Sequence, residues 1–288
     1  RFSDDLTNLT ADRAIQRMAV NPLSLEGKVA VVTGGYGVLG GSIASGLAGA
    51  GARVAVLGRR RELAEQKADA LRAAGADARA LVADALDEQQ LDAARAALLA
   101  DWGRIDILIN AAGGNVARAR SDDRPVFDVP RDAIEEVFRL NLHGSLIPSL
   151  RFGEVMGRQR SGVIINISSM AATRALTGVL GYSMAKAGID SLTRWLAVDL
   201  ARRYGDGVRV NAISPGFFVA EQNRAVLINP DGSYTPRALT IIAHTPMGRF
   251  GRPDELNAAV QWLCSDSASF VTGIVLPIDG GFSAFSGV

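Results

Sequence analysis

Seven short apolar runs, set apart by segments of helical length, constrain this chain of 288 residues more than any other feature. Lys28–Thr33, Arg53–Leu57, Ala78–Ala83, Ile105–Ile109, Gly162–Ile167, Val208–Ile213 and Ile274–Ile278 read as strands. Leu39–Ala50, Glu62–Ala74, Glu88–Trp102, Arg131–Arg158, Tyr182–Tyr204 and Pro253–Ser265 read as the helices between them. Nearly continuous apolar runs belong to strands buried on both faces, and strand–helix alternation builds parallel βαβ units. The expected fold is α/β: a doubly wound sheet of about seven parallel strands with helices on both faces. No repeat or linker breaks the alternation, so residues 25–288 are expected as a single domain behind a polar arm over residues 1–24. Two irregular stretches, Gly113–Pro130 and Pro215–Arg252, leave from carboxyl ends of strands. Open parallel sheets bind ligands there, so both are expected as walls of a site.

The turn Thr33-Gly34-Gly35-Tyr36-Gly37-Val38-Leu39-Gly40 joins the first strand to the first helix. Gly35, Gly37 and Gly40 fit G-x-G-x-x-G, whose glycines let the backbone approach a pyrophosphate. The helix N-terminus adds free N–H groups and a positive dipole end. A dinucleotide site on a Rossmann-type sheet follows. The cofactor ribose is read after the second strand, where an acid selects NAD. Here Gly58 is followed by Arg59 and Arg60, which favours NADP over NAD, although arginine is this chain's default cation. Asp84, past the third strand, is placed either to bond the adenine or to cap the next helix.

Only three of the 31 basic residues are lysines: Lys28, Lys67 and Lys186. Lys186 follows Tyr182 by one helical turn, so the two side chains share a face; a pair on a surface helix has the same spacing. An ammonium near a phenol lowers its pKa, and a tyrosine tuned in this way exchanges a proton with a substrate oxygen. Upstream, Ile165-Asn166-Ile167-Ser168-Ser169 ends a strand at the same rim. A serine hydroxyl there can stabilise charge developing on that oxygen.

Together these segments resemble the short-chain dehydrogenase/reductase family from Lys28 to about Gly281. The resemblance rests on the Thr33–Gly40 turn, Asn110-Ala111-Ala112-Gly113, Asn141 in Leu140-Asn141-Leu142, Ser169, Tyr182-x-x-x-Lys186 and Asn211-Ala212-Ile213-Ser214-Pro215-Gly216. It implies that Tyr182 gives and takes the proton, and that Ser169 binds the substrate oxygen. Lys186 would hold the nicotinamide ribose and lower the Tyr182 pKa, while Asn141 supports a water-mediated relay. A homotetramer is also implied. The cofactor contacts expected are Gly34, Gly35, Tyr36, Gly37 and Leu39 in the turn, Arg59, Arg60, Asp84 and Ala85, and Asn110, Ala111 and Gly113. Pro215, Gly216 and Phe218 complete them, with Tyr182 and Lys186 shared between cofactor and chemistry. Two positions depart from the family pattern: Val38 stands where a glycine is usual, and Ala111 where an asparagine is usual.

Pro215–Gly251 and the tail Phe270–Val288 resemble the subgroup of D-mannonate oxidoreductases, or fructuronate reductases, which also shares Gly37-Val38-Leu39-Gly40 and Gly113-Gly114-Asn115. A sugar acid needs a cation for its carboxylate and polar groups for its hydroxyls. Asn115, Ser169, Gln222 and Arg224 are the expected contacts, with Asn223 and His244 nearby; Arg224 could instead pair with Glu221 or Asp231 at the surface. The same core would serve a reductase of 3-oxoacyl thioesters or small ketones, with Phe217 and Phe218 as an apolar wall, or a non-catalytic cofactor-binding regulator. Net charge is +1, giving no electrostatic reason for a nucleic-acid or membrane partner. The single cysteine, Cys264, allows no internal disulfide and suits a cytoplasmic protein. No run reaches the about 18 apolar residues of a membrane helix. His143 and His244 are expected to be structural, with no metal site.

Overall fold

The apolar runs become seven strands: β1 Val29–Thr33, β2 Arg53–Gly58, β3 Ala78–Val82, β4 Ile107–Asn110, β5 Gly162–Ile167, β6 Val208–Pro215 and β7 Val275–Ile278. In the computed structural model, which describes residues 21–287, they pair in parallel in the order β3-β2-β1-β4-β5-β6-β7. The arm expected over residues 1–24 lies almost wholly outside the described residues. Pro277 pairs with Ser214 on edge strand β7, a position where a missing N–H is tolerated.

The helices are α1 Val38–Gly49, α2 Arg61–Ala73, α3 Glu88–Trp102, α4 Arg131–Phe138, α5 Gly144–Gln159, α6 Leu180–Tyr204, α7 Glu221–Leu227, α8 Pro236–Ala243 and α9 Asn257–Cys264. Three expectations change. The helix predicted over Pro253–Ser265 opens as a 3-10 turn at Pro253–Leu256 and is α-helical only over Asn257–Cys264. The long helix predicted over Arg131–Arg158 is interrupted by a π-helical turn at Arg139–His143. The stretch Pro215–Arg252 is not wholly irregular, since it carries α7 and α8. Thr235 caps α8 and Pro236 opens it, both strong helix-start signals.

Alternation within each strand sends side chains to both faces. On one face Ala30, Val32, Val54, Val56, Ile107 and Ile165 pack with Ile43 and Leu47 of α1, Leu71 of α2 and Leu263 of α9. On the other, Val29, Val31, Ala55, Leu57, Leu108 and Ile164 meet Leu91 and Leu98 of α3, Phe152 and Met156 of α5, and Leu196 of α6. Each such Val, Leu, Ile, Phe or Met side chain contributes roughly 1.5–3 kcal/mol when fully buried. No helix among the described residues is long and apolar enough to cross a membrane.

Register then levels the carboxyl ends. Thr33 lies opposite both Leu57 and Asn110, and Asn110 opposite Asn166. Strand order reverses direction at β1, with β2 on one side and β4 on the other. That switch point is where an open sheet leaves a crevice.

Candidate active site

At the switch point Gly34 takes a left-handed φ of 61° beneath the backbone of Ala111 and Ala112. Gly40 packs against the Gly34 carbonyl so closely that a Cβ would collide with it. Gly37 closes the turn by donating to the Gly34 carbonyl at 2.9 Å and is the N-cap of α1. No side chain caps α1, and its first turn holds no acid, so its leading N–H groups stay available to an anion. Val38 simply begins this helix with negative φ, so valine fits here without strain. The Thr33 hydroxyl accepts from the N–H groups of Ala111 and Ala112, both at 3.1 Å, and joins the two halves of the crevice.

At the end of β2, Gly58 leaves room for the Tyr36 ring, which a Cβ would strike. The Arg60 guanidinium lies 5.2 Å from that ring's centroid, and the Arg60 N–H donates to the Tyr36 hydroxyl at 3.3 Å. Arg59 faces Asp84 at 3.8 Å. Asp84 does not cap α3; its carboxylate accepts from the N–H of Leu86 at 3.0 Å, while Asp87 caps the helix through the N–H of Gln90. Ala85 is buried beside it.

The four residues expected to carry chemistry converge. Lys186 is buried, and its Nζ donates to the Ile167 carbonyl at 2.7 Å and lies 5.4 Å from the centroid of the Tyr182 ring. Burial holds its pKa down at about 8, opposed by the carboxylate of Asp190. The expected depression of the Tyr182 pKa is not what the protein shows. Burial raises it above the usual phenol value, and only the neighbouring Ser169 hydroxyl pulls it back. Ser169 also accepts from the N–H of Ala171 at 3.2 Å.

Asn141 sits on the π-helical turn, fully buried. Its amide donates to the carbonyls of Gly114 (2.7 Å) and Val137 (2.9 Å), and its oxygen accepts from the Gly114 N–H (3.0 Å). A Cβ on Gly113 would press on that amide oxygen and lie 3.7 Å from the Lys186 ammonium. The widened turn therefore aims Asn141 at the loop after β4, a use common for π-bulges at functional sites.

A buried polar layer beneath holds this geometry; Asn110, expected as a cofactor contact, turns its buried side chain into this layer. Asn110 donates to Ser149 and to Asn166, each at 2.8 Å, and Asn166 donates to Thr193 at 2.9 Å. The Ser168 hydroxyl donates to Asp190, whose pKa burial raises. Alternating small polar residues in otherwise apolar strands were the available signal.

Tyr182 and Ser169 open on a pocket also lined by Leu39, Asn115, Pro215, Gly216, Phe217 and Phe218. Gly216 packs on Asp279, and Phe218 is buried against Gly251. Asn115 reaches the pocket while accepting from the Val116 N–H at 2.9 Å. Asn223 reaches it too, though its amide is spent on the backbone of Phe218 and Ala220. Arg224 is not brought there: its side chain is exposed on α7, outside the pocket lining. The side chain of Gln222 lies outside the described residues. The cations on the wall are Arg120 and Arg237, which sequence reading missed although each lies within an irregular stretch marked as a wall.

A family model described as Enoyl-(Acyl carrier protein) reductase matches residues 37–283. An uncharacterised oxidoreductase of Bacillus subtilis is 44% identical over 275 residues, covering 92% of this chain and 98% of its own. The chain belongs to the short-chain dehydrogenase/reductase family. Solved members of that family share its fold. A proposed D-mannonate oxidoreductase from Haemophilus influenzae with NAD bound superposes with a TM-score of 0.86 at 42% identity, over 92% of this chain and 98% of that one. A gluconate 5-dehydrogenase from Burkholderia cenocepacia in complex with NADP and tartrate gives 0.82 at 32% identity, over 92% and 98%. This short-chain dehydrogenase/reductase is accordingly an oxidoreductase, and its crevice is of the kind that holds a nicotinamide cofactor.

Proposed function

We propose that this enzyme transfers hydride reversibly between NAD(P) and a secondary alcohol or ketone of a sugar acid of the mannonate/fructuronate type, in the cytoplasm and with NADP preferred. The observation that carries this reading is the convergence of Ser169, Tyr182, Lys186 and Asn141, with Ser169 and Tyr182 lining a pocket that Leu39 of the uncapped helix α1 also lines. The sugar-acid names of two similar proteins support the substrate class.

The glycines from Gly34 to Gly40 admit the pyrophosphate against the backbone, and the open N–H groups of α1 bind it. Arg59 and Arg60 flank the ribose position, where a 2′-phosphate would be bound by their guanidinium donors. Bound here, the nicotinamide supplies or accepts the hydride. Lys186 spends one N–H on Ile167 and keeps two donors for ribose hydroxyls.

Burial keeps the Tyr182 phenol protonated, so it stands ready to donate to a ketone oxygen as that oxygen gains charge. The phenolate left behind faces the Lys186 ammonium and the Ser169 hydroxyl, which compensate part of the cost of burial. In the oxidising direction the proton moves back to Tyr182. Ser169 donates to the same substrate oxygen. Asn141 fixes the Gly113–Gly114 turn beside Lys186, which holds the relay in register.

Tyr182→Phe tests the assignment. Turnover should fall by about 10²–10⁴-fold while NADP binds as in wild type by fluorescence titration; a variant that keeps its turnover removes Tyr182 from the chemistry. Arg60→Ala should weaken NADP and leave NAD unchanged. The apolar residues Leu176, Val179, Val226 and Ile241 on the pocket wall favour a second reading, reduction of 3-oxoacyl thioesters or small ketones. A parallel substrate panel decides between the two.

A further inference from the structure

Among the described side chains that line the Tyr182–Ser169 pocket are two arginines and no aspartate or glutamate. Arg120 comes from the stretch after β4 and Arg237 from α8. One carboxylate joins them. Asp122 accepts from Arg120 Nε at 2.6 Å and from an Arg237 terminal nitrogen at 3.3 Å. Arg237 also donates to the Thr177 carbonyl at 3.2 Å.

Asp122 is itself fixed. It packs on Gly178, whose φ of 78° and lack of a Cβ make the space, and the Ser121 N–H ties the same loops by donating to the Gly178 carbonyl at 3.1 Å. Two cations sharing one anion leave a net single positive charge. The terminal nitrogens of Arg120 make no hydrogen bond to a described residue. A planar guanidinium with both terminal groups open matches a carboxylate with two parallel hydrogen bonds.

We infer that Arg120 and Arg237, held side by side by Asp122, form the receptor for the carboxylate of an acidic sugar, and so select aldonates over neutral polyols. The inference rests on the hydride-transfer reading of this pocket and moves the carboxylate contact from Arg224 to Arg120 and Arg237. Asp122 is a positioning residue in this arrangement: it orients the two forks without touching the ligand.

The test is calorimetric titration of the NADPH-saturated enzyme, which cannot oxidise an alcohol, with D-mannonate and D-gluconate, and with D-mannitol as the neutral control, for wild type, Arg120→Gln, Arg237→Gln and Asp122→Asn. Each glutamine variant should lose about tenfold or more in aldonate affinity, erasing the preference over mannitol, with NADP affinity unchanged. Asp122→Asn keeps an acceptor for Arg120 Nε and raises the local positive charge, so it should bind aldonate at least as tightly as wild type. If a glutamine variant fails to fold, its lysine counterpart, which keeps the charge and loses the fork, should bind between the two.

Aldonate affinity unmoved by the arginine changes, lost equally in Asp122→Asn, or absent from wild type overturns the inference. Tyr182→Phe in the same titration separates it from the chemistry. Retained aldonate affinity with lost turnover supports the receptor. Should Tyr182→Phe stay active while aldonate affinity still depends on Arg120 and Arg237, the receptor stands and the proton assignment falls. Neutral alcohols turned over through Tyr182 by an enzyme that binds no aldonate give the reverse.

Discussion

Lys186 shows how one residue's environment sets its chemistry. Its ammonium is buried, tied to a backbone carbonyl and within reach of Asp190, and burial still dominates, lowering its pKa to about 8. The folded protein therefore binds fewer protons at this site than the unfolded chain between about pH 8 and 10.5. Below that window the cost of burying the charge is fully present; through it, rising pH relieves the cost and stability increases. Denaturant titrations should show wild type gaining on Lys186→Met by up to about 1.4 kcal/mol per pH unit across that window. A flat difference would mean that Lys186 is not desolvated as described. Arginine would not serve here, because it stays charged throughout.

At the scale of elements, the decisive features are a turn and a bulge. The α1 turn works because Gly40 lets α1 sit on the Gly34 carbonyl. Gly40→Ala should therefore displace the turn and abolish NADP binding, read by fluorescence titration, whereas Gly49→Ala, in open space on the same helix, should not. The π-helical turn works because Asn141 satisfies three backbone groups that would otherwise be buried alone. Asn141→Ala leaves those groups unpaired, at about 1–3 kcal/mol for each that water cannot reach. A loss of several kcal/mol in unfolding free energy is expected; a change below about 1 kcal/mol would show the turn to be self-supporting.

For the molecule as a whole, large apolar side chains stand exposed on α5 and α6. Leu150, Met184, Trp195 and Val198 are all exposed, Trp195 at 64% and Val198 at 59%. Exposed patches of large apolar side chains mark contact surfaces. We propose that they form one interface of a homotetramer. Light scattering should give a mass near four chains of 30.3 kDa, and Trp195→Glu should reduce it; a monomeric wild type would exclude the assembly.

The sequence by itself determined the sheet, its helices and the catalytic spacing, because each is local. Buried strands announce themselves in runs such as Lys28–Thr33, and Tyr182 and Lys186 meet on one turn of one helix whatever surrounds them. Most boundaries moved by only a residue or two; the α9 start moved by four, behind a 3-10 turn at Pro253–Leu256. What only the tertiary structure decided were the contacts between segments distant along the chain. Arg237 meets Asp122 across 115 positions with no periodicity to signal it, and Arg224, equally cationic on paper, faces outward. The choice of Asp87 over Asp84 as the α3 cap is local by contrast: the Asp84 carboxylate accepts from the Leu86 N–H two residues on, leaving Asp87 to cap the helix. The sign of the Tyr182 pKa shift also belonged to the fold. Spacing promised a nearby ammonium, but how much water remained around the phenol depended on the burial that packing produced.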